Sequence, residues 1–218
     1  MFGATFDSLG PVRETAAVLL LALAVRWMDD VVDGDGAGHG DGAPVSGGAD
    51  PMVTRAVYSL VALALACALD RDRAVTLFLC SYAVGMMGDG SARLPLGLSP
   101  LGESAAALAV ALWAGGWALA AAGFGTVLAI QVADDLWDRD ADARTGAANL
   151  ARRWGPVEAA GAGLLGLLAA CWIDPRLPVQ ALVAVAVVQS IASRFDPGPK
   201  DHAGPEPAVA VPQPGEGG

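Results

Sequence analysis

Residues 104–142 read SAAALAVALWAGGWALAAAGFGTVLAIQVADDLWDRDAD, and this stretch decides the fold. Thirty residues, Ser104 to Ala133, carry no charge; five aspartates then fall between Asp134 and Asp142. A second acidic group, Asp29-Asp30-Val31-Val32-Asp33, follows an earlier uncharged run from Thr15 to Val25. Both groups thus lie at the C-terminal ends of apolar helical runs. There the helix dipole disfavours carboxylates, and acids one turn apart repel each other. Something cationic has to offset them, and one site between the two groups serves both. For the groups to meet, their helices must run in the same direction, with an odd number of helices between them. Two are clear, at 51–69 and 74–87. Residues 104–133 must therefore hold one whole helix and the start of the next, reversing at Gly115-Gly116 or at Gly123-Phe124-Gly125.

The composition narrows the class. At 218 residues the chain is long enough for one domain with a full core. It is 54% hydrophobic and 17% charged, and its only Lys is Lys200. A formal charge of −10 excludes nucleic-acid binding, which needs basic surface. A mean hydropathy of +0.48 is too high for an ordinary soluble domain and points to a membrane. Cys67, Cys80 and Cys171 lie inside apolar runs with neither zinc nor disulfide spacing, so they read as core. Arg13 stands beside Glu14 with no small-residue cleavage site nearby, so a cleaved signal peptide is not expected.

No segment alternates as a strand, and the fold expected is all-α: about seven helices in a transmembrane bundle. A helical domain spans 1–195, and a tail rich in Pro and Gly, 196–218, is expected to be disordered. The first helix runs over 11–33, with Pro11 suited to its first turn. An acidic, Gly-rich loop follows at 34–50. The second helix covers 51–69, the third 74–87 across an Asp70–Arg73 turn, and a loop occupies 88–102. Two more, 157–173 and 179–195, flank Asp174-Pro175-Arg176-Leu177-Pro178. With the reversal in 104–133, the acidic end carries Arg26, Arg55, Arg93, Arg139, Arg144, Arg152, Arg153 and Arg194. The opposite end has only Arg13, Arg71, Arg73 and Arg176. This is the positive-inside bias of an integral membrane protein with both acidic groups facing the cytoplasm, as in a bacterial-type inner or plasma membrane.

At 100° per residue, Asp134 lies at about −60° from Gln131, Asp135 at about +40°, Asp138 at about −20° and Asp142 at about +20°. These groups share one face, whereas Asp140 points to the other side. Asp29, Asp30 and Asp33, at i+3 and i+4 spacings, share a face as well. All-oxygen ligation without His or Cys selects a hard cation, and Mg²⁺ is typically held by carboxylates together with substrate phosphates. Trp113, Trp117, Trp137 and Trp154 read as interfacial anchors.

The run Asp138-Arg-Asp140-Ala-Asp142-Ala-Arg-Thr-Gly146-Ala-Ala-Asn149-Leu150-Ala151-Arg-Arg-Trp-Gly155 resembles a motif of the UbiA-type intramembrane prenyltransferase superfamily, D-x-[ED]-x-D-x3-G-x2-[TSN]-L-[AP]-x3-G, without a gap. The first group is similar to that family's NDxxDxxxD, with Asp29 in place of Asn, Ala37 where the last Asp would fall, and Asp35 nearby. Pro44-Val45-Ser46-Gly47 resembles the RPLxSG that follows, without its Arg. The loop 34–50 has no Arg or Lys, and the helix set is one shorter at each end than the family's. The resemblance implies a Mg²⁺-dependent prenyltransferase. Asp29, Asp30 and Asp33 would hold one ion, and Asp134, Asp138 and Asp142 another, with Asp135 in the same set. Asp30, Asp33, Asp134 and Asp138 would be central to the chemistry, and Arg144, Arg152 and Arg153 would contact diphosphate. The partners would be a prenyl diphosphate, a small-molecule acceptor and membrane lipid; the prenyl group would be transferred or cyclised. Two alternatives stand beside this reading. Gln131-Val-Ala-Asp134-Asp135-Leu-Trp-Asp138 is also similar to the FQxxDDxxD of soluble trans-isoprenyl diphosphate synthases and related class I terpene synthases. A non-catalytic membrane bundle with a cation site is the third.

Overall fold

The computed structural model describes residues 10–32, 50–88, 98–145 and 149–195. Every element among them is helical: α1 (Gly10–Val32), α2 (Pro51–Leu69), α3 (Arg71–Gly88), α4 (Pro100–Trp137), α5 (Arg139–Thr145), α6 (Leu150–Trp154), α7 (Pro156–Ile173) and α8 (Arg176–Phe195). The acidic loop 34–49, Arg93, Gly146 and the 196–218 tail lie outside the described residues.

Local chemistry sets the boundaries. Asp50 caps α2 by accepting from the Met52 N–H at 2.9 Å, ahead of Pro51 in the first turn. Ser99 caps α4 in the same way, accepting from Gly102 N–H at 3.1 Å ahead of Pro100. The turn expected over Asp70–Arg73 contracts to Asp70 alone. That residue ends α2 in extended conformation, and its Oδ1 accepts from the Arg73 N–H at 3.1 Å, so α3 begins at Arg71. Likewise α8 starts at Arg176, not at 179. Asp174 Oδ1 receives the Arg176 N–H at 3.0 Å, and Pro178 falls in the first turn, where a missing N–H costs nothing.

The long stretch quoted above reverses at Gly116, whose backbone (φ 74°, ψ 171°) is open to glycine almost alone. Ser104 Oγ donates to Ala83 O at 2.9 Å, while a methyl placed on Gly123 would touch Leu77 and Cys80. Ser104 and Gly123 would be ~28 Å apart along a straight helix, yet they meet neighbouring turns of α3. Cys80 packs with both Ala111 and Ala120, one from each limb of α4. The first limb therefore descends antiparallel to α3 and the second returns beside it. Gly123 and Gly125 serve packing instead of turning: a methyl on Gly125 would overlap the backbone carbonyl of Gly166 on α7.

The bundle is inside-out. Its buried apolar residues are mostly alanine, among them Ala17, Ala66, Ala83, Ala111, Ala122, Ala170 and Ala184. Large apolar side chains such as Val57, Leu65, Leu165, Leu168 and Val183 face outward. Small residues at helix contacts and bulky apolar ones outside are what lipid demands of a bundle. Four helices, α2, α4, α7 and α8, are long and apolar enough to cross a membrane. Tryptophans ring both ends. Trp137 and Trp154 stand at the acidic end, and Trp113, Trp117 and Trp172 at the other, with Trp172 92% exposed. The 18 residues of α7 between two of these rings rise ~27 Å, close to the ~30 Å hydrocarbon core. These are the features of an integral membrane protein. Cys80 is core as expected, but Cys171 is exposed because it sits on the outer face of α7.

Candidate functional site

Four helices, α1, α3, the second limb of α4, and α8, surround a cavity of about 210 Å³. Its walls are apolar: Val18, Leu21, Val25, Leu77, Val127, Ile130, Ala181, Val185 and Val188. Toward the acidic end the lining turns polar, with Arg26 and Asp29 from α1, Ser81 from α3, Gln131 and Asp134 from α4, and Gln189 from α8. One aspartate from each acidic group therefore reaches a common cavity. Their meeting depends on the Gly116 reversal, which brings the second limb of α4 parallel to α1.

The other acids have different surroundings. Asp30 turns to Arg26 at 3.3 Å and to Arg55 of α2 at 3.7 Å, forming an ion-pair cluster between α1 and α2. Asp135 is buried, and its carboxylate accepts from Gln131 Nε2 at 2.9 Å and from the Leu150 N–H at 2.6 Å. The buried Asn149 side chain donates to Asp135 O at 2.7 Å and to Asp142 Oδ2 at 2.7 Å, while capping α6 through the Arg152 N–H. This network pins Asn149 and Leu150 onto the last turn of α4, so Asp135, Asp142, Asn149 and Leu150 form a structural clasp. The common face expected for Asp134 and Asp135 divides here: the 100° between them sends one to the cavity and the other to α6. Asp29 and Asp30 divide similarly. Asp138 ends α4 and is exposed, so the single helix expected through Asp142 is broken there, and Asp140 is exposed on α5 beside Arg139. Asp33 lies outside the described residues.

The basic residues expected to meet diphosphate are not at the cavity. Arg152 Nη1 donates to Asp142 O at 2.9 Å, Arg153 Nη1 donates to Met87 O at 3.0 Å, and Arg144 is exposed. Among the described residues the cation lining the cavity is Arg26, which in the sequence counts only toward the charge bias. Its signal was the helical spacing to Asp29 (i+3) and Asp30 (i+4), which places it one turn below both. Ser81 of α3 and Gln189, which follows the apolar run 181–188 of α8, are the other polar lining groups, and neither stands out in the sequence.

Among the described residues no group of three or more His, Cys, Asp or Glu is arranged to hold a metal ion. Asp29 and Asp134, which line the same cavity, nonetheless suit Mg²⁺ by donor type, since it commonly takes only one or two protein carboxylates and completes its octahedron with water and substrate phosphates. No known protein family, curated protein or solved structure matches this chain.

Proposed function

We propose that this protein is an intramembrane prenyltransferase of the UbiA type, acting on an allylic prenyl diphosphate at the cavity between α1, α3, α4 and α8. The observation that carries the reading is the convergence of Asp29 and Asp134, from two helices far apart in sequence, on the polar mouth of an apolar cavity. A diphosphate head and a hydrocarbon tail need that polarity profile. Counted limb by limb, α1, α2, α3, α4, α7 and α8 supply seven long segments, which supports the seven-helix bundle. Seven described arginines (26, 55, 139, 144, 152, 153, 194) at the acidic end against four (13, 71, 73, 176) opposite support a cytoplasmic mouth in a plasma or inner membrane.

Asp29 and Asp134 would hold Mg²⁺ against the donor, with Asp33 and Asp138 each four residues further along the chain. Bound there, the ion supplies the Lewis acidity that offsets charge on the departing diphosphate. Arg26 presents its guanidinium to the same diphosphate, and Asp30 holds Arg26 and Arg55 in place. The allylic C–O bond breaks with its electron pair leaving on the diphosphate, and the apolar walls keep water from the carbocation. An acceptor in the mouth, or a double bond of the same chain, captures it and then loses a proton.

The soluble synthase alternative conflicts with the outward-facing apolar surface. The non-catalytic bundle keeps one observation in its favour: Asp30 already has two arginine partners, which lessens the need for a metal. The test is Mg²⁺-dependent pyrophosphate release from allylic diphosphates of different chain lengths by the purified protein. Release that is lost in Asp29→Asn and Asp134→Asn supports the enzyme; no release and no binding of any donor refutes it.

A further inference from the structure

The cavity has a floor. From Asp29 to Val18 along α1 it descends ~16 Å, and from Asp134 to Val127 along α4 ~10 Å, at 1.5 Å per residue. Val18, Leu77, Val127 and Ala181 close it, and Ala74 and Leu177 fill the layer beneath, both at most 1% exposed. Below that layer a polar network locks three of the four surrounding helices together. Arg73 of α3 donates to Gln180 Oε1 of α8 at 2.8 Å and pairs with Glu14 of α1 at 3.3 Å and with Asp70 at 3.6 Å. Gln180 Nε2 in turn donates to Thr15 Oγ1 of α1 at 3.2 Å. The Arg73 side chain is only 14% exposed, so its three partners are what make its position tolerable. The cavity is therefore blind: it opens toward the acidic end and stops well short of the opposite membrane face.

Its size then limits the occupant. An apolar cavity of about 150 Å³ accommodates one benzene, so 210 Å³ accommodates ~8 carbons. That lies between one and two isoprene units. We infer that the site takes a short allylic donor, a C5 or C10 prenyl diphosphate, its tail ending on Leu77 and Ala181 and its head at Arg26, Asp29 and Asp134. This inference rests on the prenyltransferase reading and adds the donor class to it.

The experiment uses the full chain in detergent or nanodiscs. Binding of C5, C10, C15 and C20 allylic diphosphates is measured by calorimetry, and pyrophosphate release with Mg²⁺ is measured in parallel. The wild type is expected to bind and turn over C10 at least tenfold better than C20. Two variants move the floor in opposite directions. Leu77→Ala deepens the cavity and should raise C15 binding, whereas Ala22→Leu, at a lining residue one turn above Val18 on α1, should lose C10 and keep C5. Ala22→Leu also covers the case in which truncating buried Leu77 prevents folding. C20 bound and turned over as well as C10, or folded variants with an unchanged length profile, would overturn the short-donor assignment and leave the prenyltransferase standing. No binding or release with a donor of any length would overturn both.

Discussion

Adjacent Asp134 and Asp135 should fail in different ways when changed. Asp135→Ala removes the acceptor of the buried Leu150 N–H, a charge-assisted bond of 2.6 Å, and that of Gln131 Nε2 at 2.9 Å. Leaving a buried N–H unpaired costs about 2 kcal/mol, and the half-buried amide adds about 1 kcal/mol. Relief from burying a carboxylate returns part of this, so the net loss is about 2–3 kcal/mol. For a chain of this size that lowers Tm by roughly 4–12 °C. Asp135→Asn keeps an oxygen for Leu150 and should cost about 1 kcal/mol. Asp134→Asn, at the open mouth, should leave Tm within about 2 °C of wild type and abolish donor turnover. Thermal unfolding in detergent and pyrophosphate release, measured on the same preparations, separate these outcomes. If Asp135→Ala kept full stability and lost only activity, Asp135 would belong to the reactive site and the clasp argument would be wrong.

Arg26→Gln should raise the donor KM about tenfold while changing stability by less than about 1 kcal/mol, since the arginine side of its pair with Asp30 is 44% exposed and Asp30 keeps Arg55; steady-state kinetics and unfolding curves check both halves. Gly125→Ala should destabilise by about 2 kcal/mol or more, because its methyl would meet a backbone carbonyl of α7 that cannot swing aside. Gly161→Ala, with open space around it, should stabilise by about 0.4–1 kcal/mol, and comparing the two Tm values tests the α4–α7 crossing. Gly116→Ala should cost about 1–3 kcal/mol from its positive φ alone, since no atom lies near the new methyl. An unchanged Tm there would mean that α4 does not turn on that conformation.

Much of the architecture was legible because it follows from short-range rules. Run length and composition gave helices; Pro51 and Pro100 behind capping Asp50 and Ser99 marked where two of them start. The reversal within 104–133 followed from parity, and Gly115-Gly116 was one of two glycine pairs able to make it. Choosing between the pairs needed the partner helix. Gly123 and Gly125 are occupied by close packing against α3 and α7, which leaves Gly116 as the turn. The shorter Asp70 turn and the earlier start of α8 were missed for a related reason: one aspartate side chain can cap the next helix and make a longer linker unnecessary.

The sequence by itself determined that this protein is an all-helical, lipid-facing bundle with two acidic groups at helix C-termini. Hydrophobic runs and helix dipoles are properties of single segments. Only the tertiary structure decided which acid of each group faces the cavity. A helical wheel fixes the angle between Asp134 and Asp135, or Asp29 and Asp30, but not the direction of the neighbouring helix. Arg55 on α2 draws Asp30 aside, the Leu150 N–H at α6 claims Asp135, and Asp29 and Asp134 with Arg26 are what those two contacts leave at the cavity.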